Sequence, residues 1–184
     1  ACGNSIRNIT ACPFGGTCKD EAFDTTPYAH AAFEFLLGHP DCQSFGRKFK
    51  IAFSGCGGSS CGLAQMHDLG LVAQIKNENG KDVKGFKVVV GGGLGAIPMQ
   101  AKVFYEFMPA NDLLKLCQAM ARVFARHGEK ANRNRARLKF LVNDWGIEKF
   151  RDLVAEELKI LPHDDRWTGY LDKLLADAKA PELH

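Results

Sequence analysis

The chain has 184 residues, 46% of them hydrophobic, enough for one domain with a full core. Its 24 basic and 21 acidic side chains leave a formal charge of +3, a balance that argues against nucleic acid or an anionic membrane as partner, since both demand clustered positive charge. No apolar run approaches the roughly 18 residues needed to span a bilayer, and the start ACGNSIRN lacks the features of an export signal, so a soluble, cytoplasmic protein is expected.

The chain begins without Met, directly on Cys2, Gly3 and Asn4, which suggests a segment cut from a longer polypeptide. From Ala1 to Asp24 the residues are rich in Gly, Cys, Thr and Asn without periodicity, and an irregular winding segment is expected there. Thr25 and Thr26 followed by Pro27 supply a hydroxyl cap and a first-turn proline for a helix over Tyr28 to Leu37, stopped by Gly38. Lys48 to Phe53 alternates charged and apolar residues and predicts a strand with one buried face. Leu69 to Ile75 and Phe86 to Val90 are two further strands, and the Asn79-Gly80 step between them favours a tight turn, so they should pair as a hairpin. Past Gly91 to Gly95 the pattern turns helical. Asp112 to His127 places Leu113, Leu116, Met120, Val123 and Phe124 on one face and closes on Gly128. A second helix is predicted over Arg133 to Asp144, ended by Gly146, and a third from Ile147 to about Leu158. An amphipathic stretch, Tyr170 to Ala178, reads as a loosely attached tail. The fold class is α+β, a mixed sheet covered by helices.

Seven cysteines with no export signal read as buried thiols or as thiolates on a metal rather than as disulfides. Cys12-x5-Cys18 and Cys56-x4-Cys61 are two close pairs on Gly-rich stretches, as a four-thiolate site requires. A 4Fe-4S cluster and zinc both accept four soft thiolates, and small buried hydrophobes are the equal alternative. Strand alternation points Lys48 and Lys50 to one side, with Phe49 on the other; two ammonium groups on one face suggest an anion between them, with Arg47 placed for a two-pronged contact. Gly91-Gly92-Gly93-Leu94-Gly95 lacks the spacing of a dinucleotide or nucleotide phosphate loop and suggests close passage of backbone past a bulky ligand or a neighbouring element. His67-Asp68 has no nucleophile beside it, which makes a catalytic dyad the poorer reading. The basic run from Asn132 to Arg137 reads as a solvated helix face or a docking surface for a sister domain.

An ordered series of segments resembles the nitrite/sulfite reductase hemoprotein family: Arg7 to Pro13, Asp24 to Ala29, Arg47-Lys48-Phe49-Lys50, His67 to Gly70, Val90 to Gly95, then Asn132-Arg133 and Arg137 to Leu141. The resemblance runs from about Asn4 to about Leu158. It implies a repeat over residues 1–160 and, over 161–184, a helical tail or a linker to a further domain. In the family two such repeats clasp one siroheme and one bridged 4Fe-4S cluster that deliver six electrons to sulfite or nitrite. By resemblance Arg7, Lys48 and Lys50 are the distal catalytic cations, and Asn4, Arg7, Arg47 and Lys48 contact the cofactor, Arg47 through a siroheme carboxylate. The RKFK segment is similar to the first repeat, whereas the family's cluster cysteines come from the second, as C-x5-C and C-x3-C. Cys12 and Cys18 match the first spacing; Cys56 and Cys61 stand one residue too far apart, so the four are cluster ligands or the echo of a duplicated ancestor. The resemblance further implies a sister repeat, an N-terminal domain, and an electron donor such as ferredoxin or a flavoprotein as partners, with the isolated chain inactive. A non-catalytic iron–sulfur or scaffold module without siroheme is the alternative.

Overall fold

Five strands form one mixed sheet in sequence order: β1 (Ile6–Thr10), β2 (Phe49–Ser54), β3 (Leu69–Glu78), β4 (Lys81–Val90) and β5 (Lys102–Pro109). The computed structural model describes residues 3–57 and 62–177. β1, β2 and β3 are parallel; β3, β4 and β5 are antiparallel neighbours. The predicted hairpin is β3–β4. Its closing pair is Glu78 with Lys81, and Asn79 and Gly80 between them both take positive φ, 54° and 79°, the two-residue turn whose twist matches that of the strands.

Alternation gives the sheet two different faces. Phe49, Ile51 and Phe53 of β2, Leu69 and Leu71 of β3 and Phe86 and Val88 of β4 point into the main core, beneath helices α1 (Thr26–Leu36), α2 (Leu113–His127), α3 (Leu138–Trp145) and α4 (Ile147–Ile160). Each fully buried large side chain contributes about 1.5–3 kcal/mol. The ring contacts Phe23–Phe86, Tyr28–Phe86 and Phe53–Phe86 tie α1 to the sheet, and Phe45 and Phe49 both stack on Phe124 of α2. The opposite face carries Lys50, Ala52, Ser54, Gly70 and Val72. A short 3₁₀ turn (Ala64–Met66) lies across it and closes a small second core of Ala64, Val72, Val89 and Ala101.

Several sequence expectations are corrected. The opening segment is not wholly irregular, because Ile6–Thr10 pairs with β2 as an edge strand, with a register shift at Arg7. β5 has no strand period in sequence, because Val103, Phe104, Tyr105, Phe107 and Met108 put apolar groups on both parities. α1 starts on the Asp24 carboxylate, which accepts the Thr26 N–H at 2.9 Å, while the Thr25 hydroxyl makes no cap bond and among the described residues finds no partner. The helix predicted from Arg133 begins only at Leu138. The Glu129 carboxylate accepts the N–H groups of Ala131 and Asn132, and the Asn132 side chain accepts that of Asn134, local bonds that compete with helix formation. The tail is not loose either. Helix α5 (Arg166–Asp177) buries Trp167 and Leu171 in the main core, and the Trp167 indole N–H donates to Gln118 of α2 at 2.8 Å. Among the described residues no helix is long and apolar enough to cross a membrane.

Candidate anion and cofactor site

On the second face of the sheet, at the N-terminal ends of β2 and β3, lies a cavity of about 690 Å³. One wall is cationic: Lys50 from β2 and Arg47 and Lys48 just before it, with Arg133 and Arg137 from the segment that leads into α3 and Lys139 from the first turn of α3. The other wall is apolar, formed by Leu63, Met66, Leu94 and Ile97, of which Leu63, Leu94 and Ile97 are more than half exposed. Among the described residues no acidic side chain lines it. Burial and then the charges of Arg137, Arg7, Lys50 and Arg47 hold the Lys48 ammonium below the usual lysine range. Such a group is a readier proton donor than a solvated lysine.

Chain segments far apart in sequence fix these cations. Asp68, fully buried, accepts from Arg137 Nε at 3.2 Å and from Arg137 Nη2 at 2.9 and 3.0 Å through its two oxygens, and the Lys50 N–H donates to it at 3.0 Å. Burial pushes the Asp68 carboxyl up to about 6, against the lowering pull of Arg137 and Lys50. Arg47 Nη1 donates to the Arg133 carbonyl at 3.0 Å. Lys139 is nearly buried and donates to the carbonyls of Leu94, at 3.1 Å, and Ile97, so it pins the apolar wall; burial, then the Arg137 charge, keep its pKa low. The glycine run serves close approach: a Cβ on Gly92 would stand 2.4 Å from the Gln65 carbonyl oxygen and 2.7 Å from that of His67. The Gly92 N–H donates to that His67 carbonyl at 3.0 Å.

The residues singled out in the sequence divide among several places. Lys48, Lys50 and Arg47 converge on the cavity. Arg7 lines the neighbouring groove between β1 and α1, and its charge is felt at Lys48. Asn4 lies outside the cavity, its carbonyl accepting the Phe45 N–H at 3.2 Å. His67 and Asp68 turn apart, the imidazole Nδ1 lying 2.9 Å from the Leu63 carbonyl, so they form no dyad. The basic run is not a helix face: Arg133 and Arg137 line the cavity, while Arg135 pairs with Asp144 at 2.7 Å. The roles of Asp68, Arg137 and Lys139 were missed, because nothing local in the sequence marks a buried aspartate whose partner lies 69 residues away.

The thiols lie elsewhere. Cys12 follows β1 and Cys56 follows β2, at the C-terminal ends of these parallel strands. Cys12 and Cys56 are buried, and Cys18 Sγ stands 3.7 Å from Cys56 Sγ. Cys61 lies outside the described residues. Among the described residues no three His, Cys, Asp or Glu side chains are grouped closely enough to hold a single metal ion. Cys42 and Cys117 are core residues, their thiols raised by burial, that of Cys42 to about 12.

Comparison with known proteins adds to this picture. Residues 2–161 match the family described as the nitrite and sulphite reductase 4Fe-4S domain. The chain is 34% identical over 181 residues to "Sulfite reductase [ferredoxin] 1" of Mycolicibacterium paratuberculosis, a match covering 98% of this chain and 29% of that protein. It is likewise 34% identical over 158 residues to the assimilatory ferredoxin-dependent nitrite reductase of Haloferax mediterranei, covering 84% of this chain and 27% of the relative. The chain therefore spans about 30% of the length of these relatives. Among solved structures, the Mycobacterium tuberculosis NirA protein superimposes with a TM-score of 0.78 at 32% identity, over 88% of this chain and 29% of that one. Dissimilatory sulfite reductase I shares the fold, with a TM-score of 0.68 at 12% identity, over 99% of this chain and 56% of that one.

Proposed function

The chain belongs to the nitrite and sulfite reductase family, and we propose that it is one cofactor-binding repeat of a siroheme-dependent reductase that converts sulfite to sulfide or nitrite to ammonia. The observation that carries this reading is the two-walled cavity. A flat macrocycle edged with carboxylates needs an apolar wall for its plane and cations for its rim, and both are present around about 690 Å³. Arg47 would hold a siroheme carboxylate, with Arg133 beside it on the same wall. When bound, siroheme coupled to a 4Fe-4S cluster would pass six electrons from the electron donor to the anion.

The chain's own residues bind and orient the anion. Lys48, just before β2, and Lys50, within it, present ammonium groups to one cavity that a sulfite or nitrite oxygen can bridge, with Arg7 adding its charge from β1. As oxygen leaves the substrate, negative charge develops, and the lowered pKa of Lys48 suits it to donate a proton there. The second lysine favours sulfite over nitrite, since an extra cation stabilises the more highly charged anion. We further propose Cys12, Cys18 and Cys56, with Cys61, as a thiolate set for an iron–sulfur cluster of this repeat; the proximity of Cys18 to Cys56 supports it. The cytoplasm is the compartment proposed, with a sister repeat, an N-terminal domain and a ferredoxin or flavoprotein donor as partners. The ferredoxin-dependent names of the relatives support that donor.

The test is Lys48→Ala in the full-length reductase, produced with siroheme synthesis and followed by its heme spectrum. Siroheme content should stay at the wild-type level while kcat/KM for sulfite falls about 100-fold, a loss of the size seen when one charge-stabilising group is removed from an active site. Wild-type turnover in that variant, or a complete protein that binds a cluster without siroheme, would sink the reductase reading in favour of an iron–sulfur scaffold.

A further inference from the structure

We infer that Asp68 is a positioning residue for the anion site, its buried carboxylate holding Arg137 edge-on to the cavity so that Arg137 joins Lys48 and Lys50 as an anion-contacting cation. The inference rests on the cavity reading above and extends it to two residues outside the lysine pair.

The geometry of the guanidinium carries the argument. Arg137 meets Asp68 side-on, through Nε and Nη2, so those donors are consumed. In a planar fork the remaining nitrogen, Nη1, then points away from the carboxylate. Nη1 makes no hydrogen bond among the described residues, and Arg137 lines the cavity with 14% of its side chain exposed. The plane is wedged as well as paired, since a Cβ on Gly93 would stand only 3.0 Å from Arg137 Nη2. The same carboxylate receives the Lys50 N–H at 3.0 Å, which fixes the strand position from which the Lys50 ammonium projects. A further bond, from the Gly91 N–H to the Asp68 carbonyl at 2.9 Å, anchors Asp68 itself to the end of β4.

A purely structural pair would be an expensive choice here. Burying a charge forfeits its hydration before its partner compensates, and an apolar pair of similar volume often packs as stably. What the ion pair supplies and an apolar pair does not is a cation of fixed direction. Among the described residues the charged groups that face Asp68 are Arg137, Lys50 and Lys139, and no carboxylate competes for them inside the cavity. His67, its neighbour in sequence, turns its ring to the Leu63 carbonyl instead. Protonation of Asp68 therefore releases Arg137 without another acid to hold it.

The test uses the full-length reductase with nitrite, which remains a monoanion across the relevant pH range. Asp68→Asn should raise KM for nitrite about tenfold with kcat changed less than about twofold, the mark of lost ground-state binding. In the unaltered enzyme KM should rise as pH falls through about 6, and in Asp68→Asn this dependence should be flat. Arginine side-chain NMR of the 184-residue chain gives a readout without turnover: a sharp, protected Arg137 Nε–H signal that Asp68→Asn broadens. If Asp68→Asn does not accumulate folded, Arg137→Lys keeps the charge, loses the two-pronged contact, and should raise KM in the same way. A folded variant with unaltered KM and pH profile, beside a Lys48→Ala enzyme whose KM has risen, overturns this inference and leaves the cavity reading standing. Should Lys48→Ala also leave kcat/KM at the wild-type value, the cavity reading falls, and this inference with it.

Discussion

The two ends of the parallel pair β1–β2 carry opposite chemistry. At their N-terminal ends Lys48 and Lys50 line a cavity that has no acidic lining among the described residues, with Arg7 in the neighbouring groove; at their C-terminal ends Cys12 and Cys56 are buried, with Cys18 beside Cys56. Lys50 and Ser54 alone are separated by about 13 Å of extended strand. The cationic end is built by long-range pairing, with Asp68 and Arg137 drawn together across the domain. The thiol end is built by short loops that each follow a strand directly. Positive charge and thiols are thus separated along the same two strands, and a change at one end should leave the other intact.

The sharpest challenge to that separation is Cys18→Ser. Reconstituted with iron and sulfide, the 184-residue chain should bind iron, and the variant should lose nearly all of it, since a cluster needs its thiolates. Its Arg137 and Lys50 NMR signals should stay where they are. Equal iron in both proteins would remove the metal from the thiol end altogether.

A second challenge is pH. The folded carboxyl of Asp68 titrates near 6, above the roughly 3.9 of an unfolded chain, so the folded state binds the extra proton between these values. The stability this group contributes is fully present below about pH 4 and is lost as pH rises through about 6, a change on the order of 3 kcal/mol. Urea unfolding followed across that window should show the slope, and Asp68→Asn should abolish it. A carboxyl carbon signal for Asp68 with its midpoint near 4 would refute the assignment. The cationic end is therefore most ordered at a pH where it costs the fold most, which is what a binding site rather than a stabilising pair predicts.

The smallest effect is expected from Gly92→Ala. The added methyl would press on the Gln65 and His67 carbonyls, backbone atoms with little room to yield, and the variant should lose about 1–3 kcal/mol in thermal or denaturant unfolding. The loop over Leu63 to His67 should shift and anion affinity weaken, with iron binding at the thiol end unchanged. Unaltered stability would mean that the close approach of the two loops is not a constraint.

Much of this arrangement was legible in the sequence. The expectation that Lys48 and Lys50 come together was met in one cavity, although Lys48 stands just before β2, and Asn79-Gly80 announced its hairpin because few residue pairs accept two positive φ angles. The spacing of Leu113, Leu116, Met120, Val123 and Phe124 gave α2 through a local period that maps onto a single buried face. Where local rules compete, the sequence was silent or misleading. Asn132 to Arg137 has helix-compatible residues, yet side-chain bonds from Glu129 and Asn132 hold it open, and this is what lets Arg133 and Arg137 reach the cavity. β5 hides its period because both of its faces are apolar, and Tyr170 onward reads as a polar tail because the burial of Trp167 and Leu171 depends on α1 and α2 being there to receive them.

By itself, then, the sequence determined the elements with a clean period, the face on which the lysines stand, and the family. Tertiary structure alone decided which cations share a cavity, that Asp68 lies beneath them, and that the thiols lie at the far end. Periodicity acts over one or two turns of chain, whereas a buried charge finds its partner only after the sheet has closed and water has been excluded, and that event has no local signature.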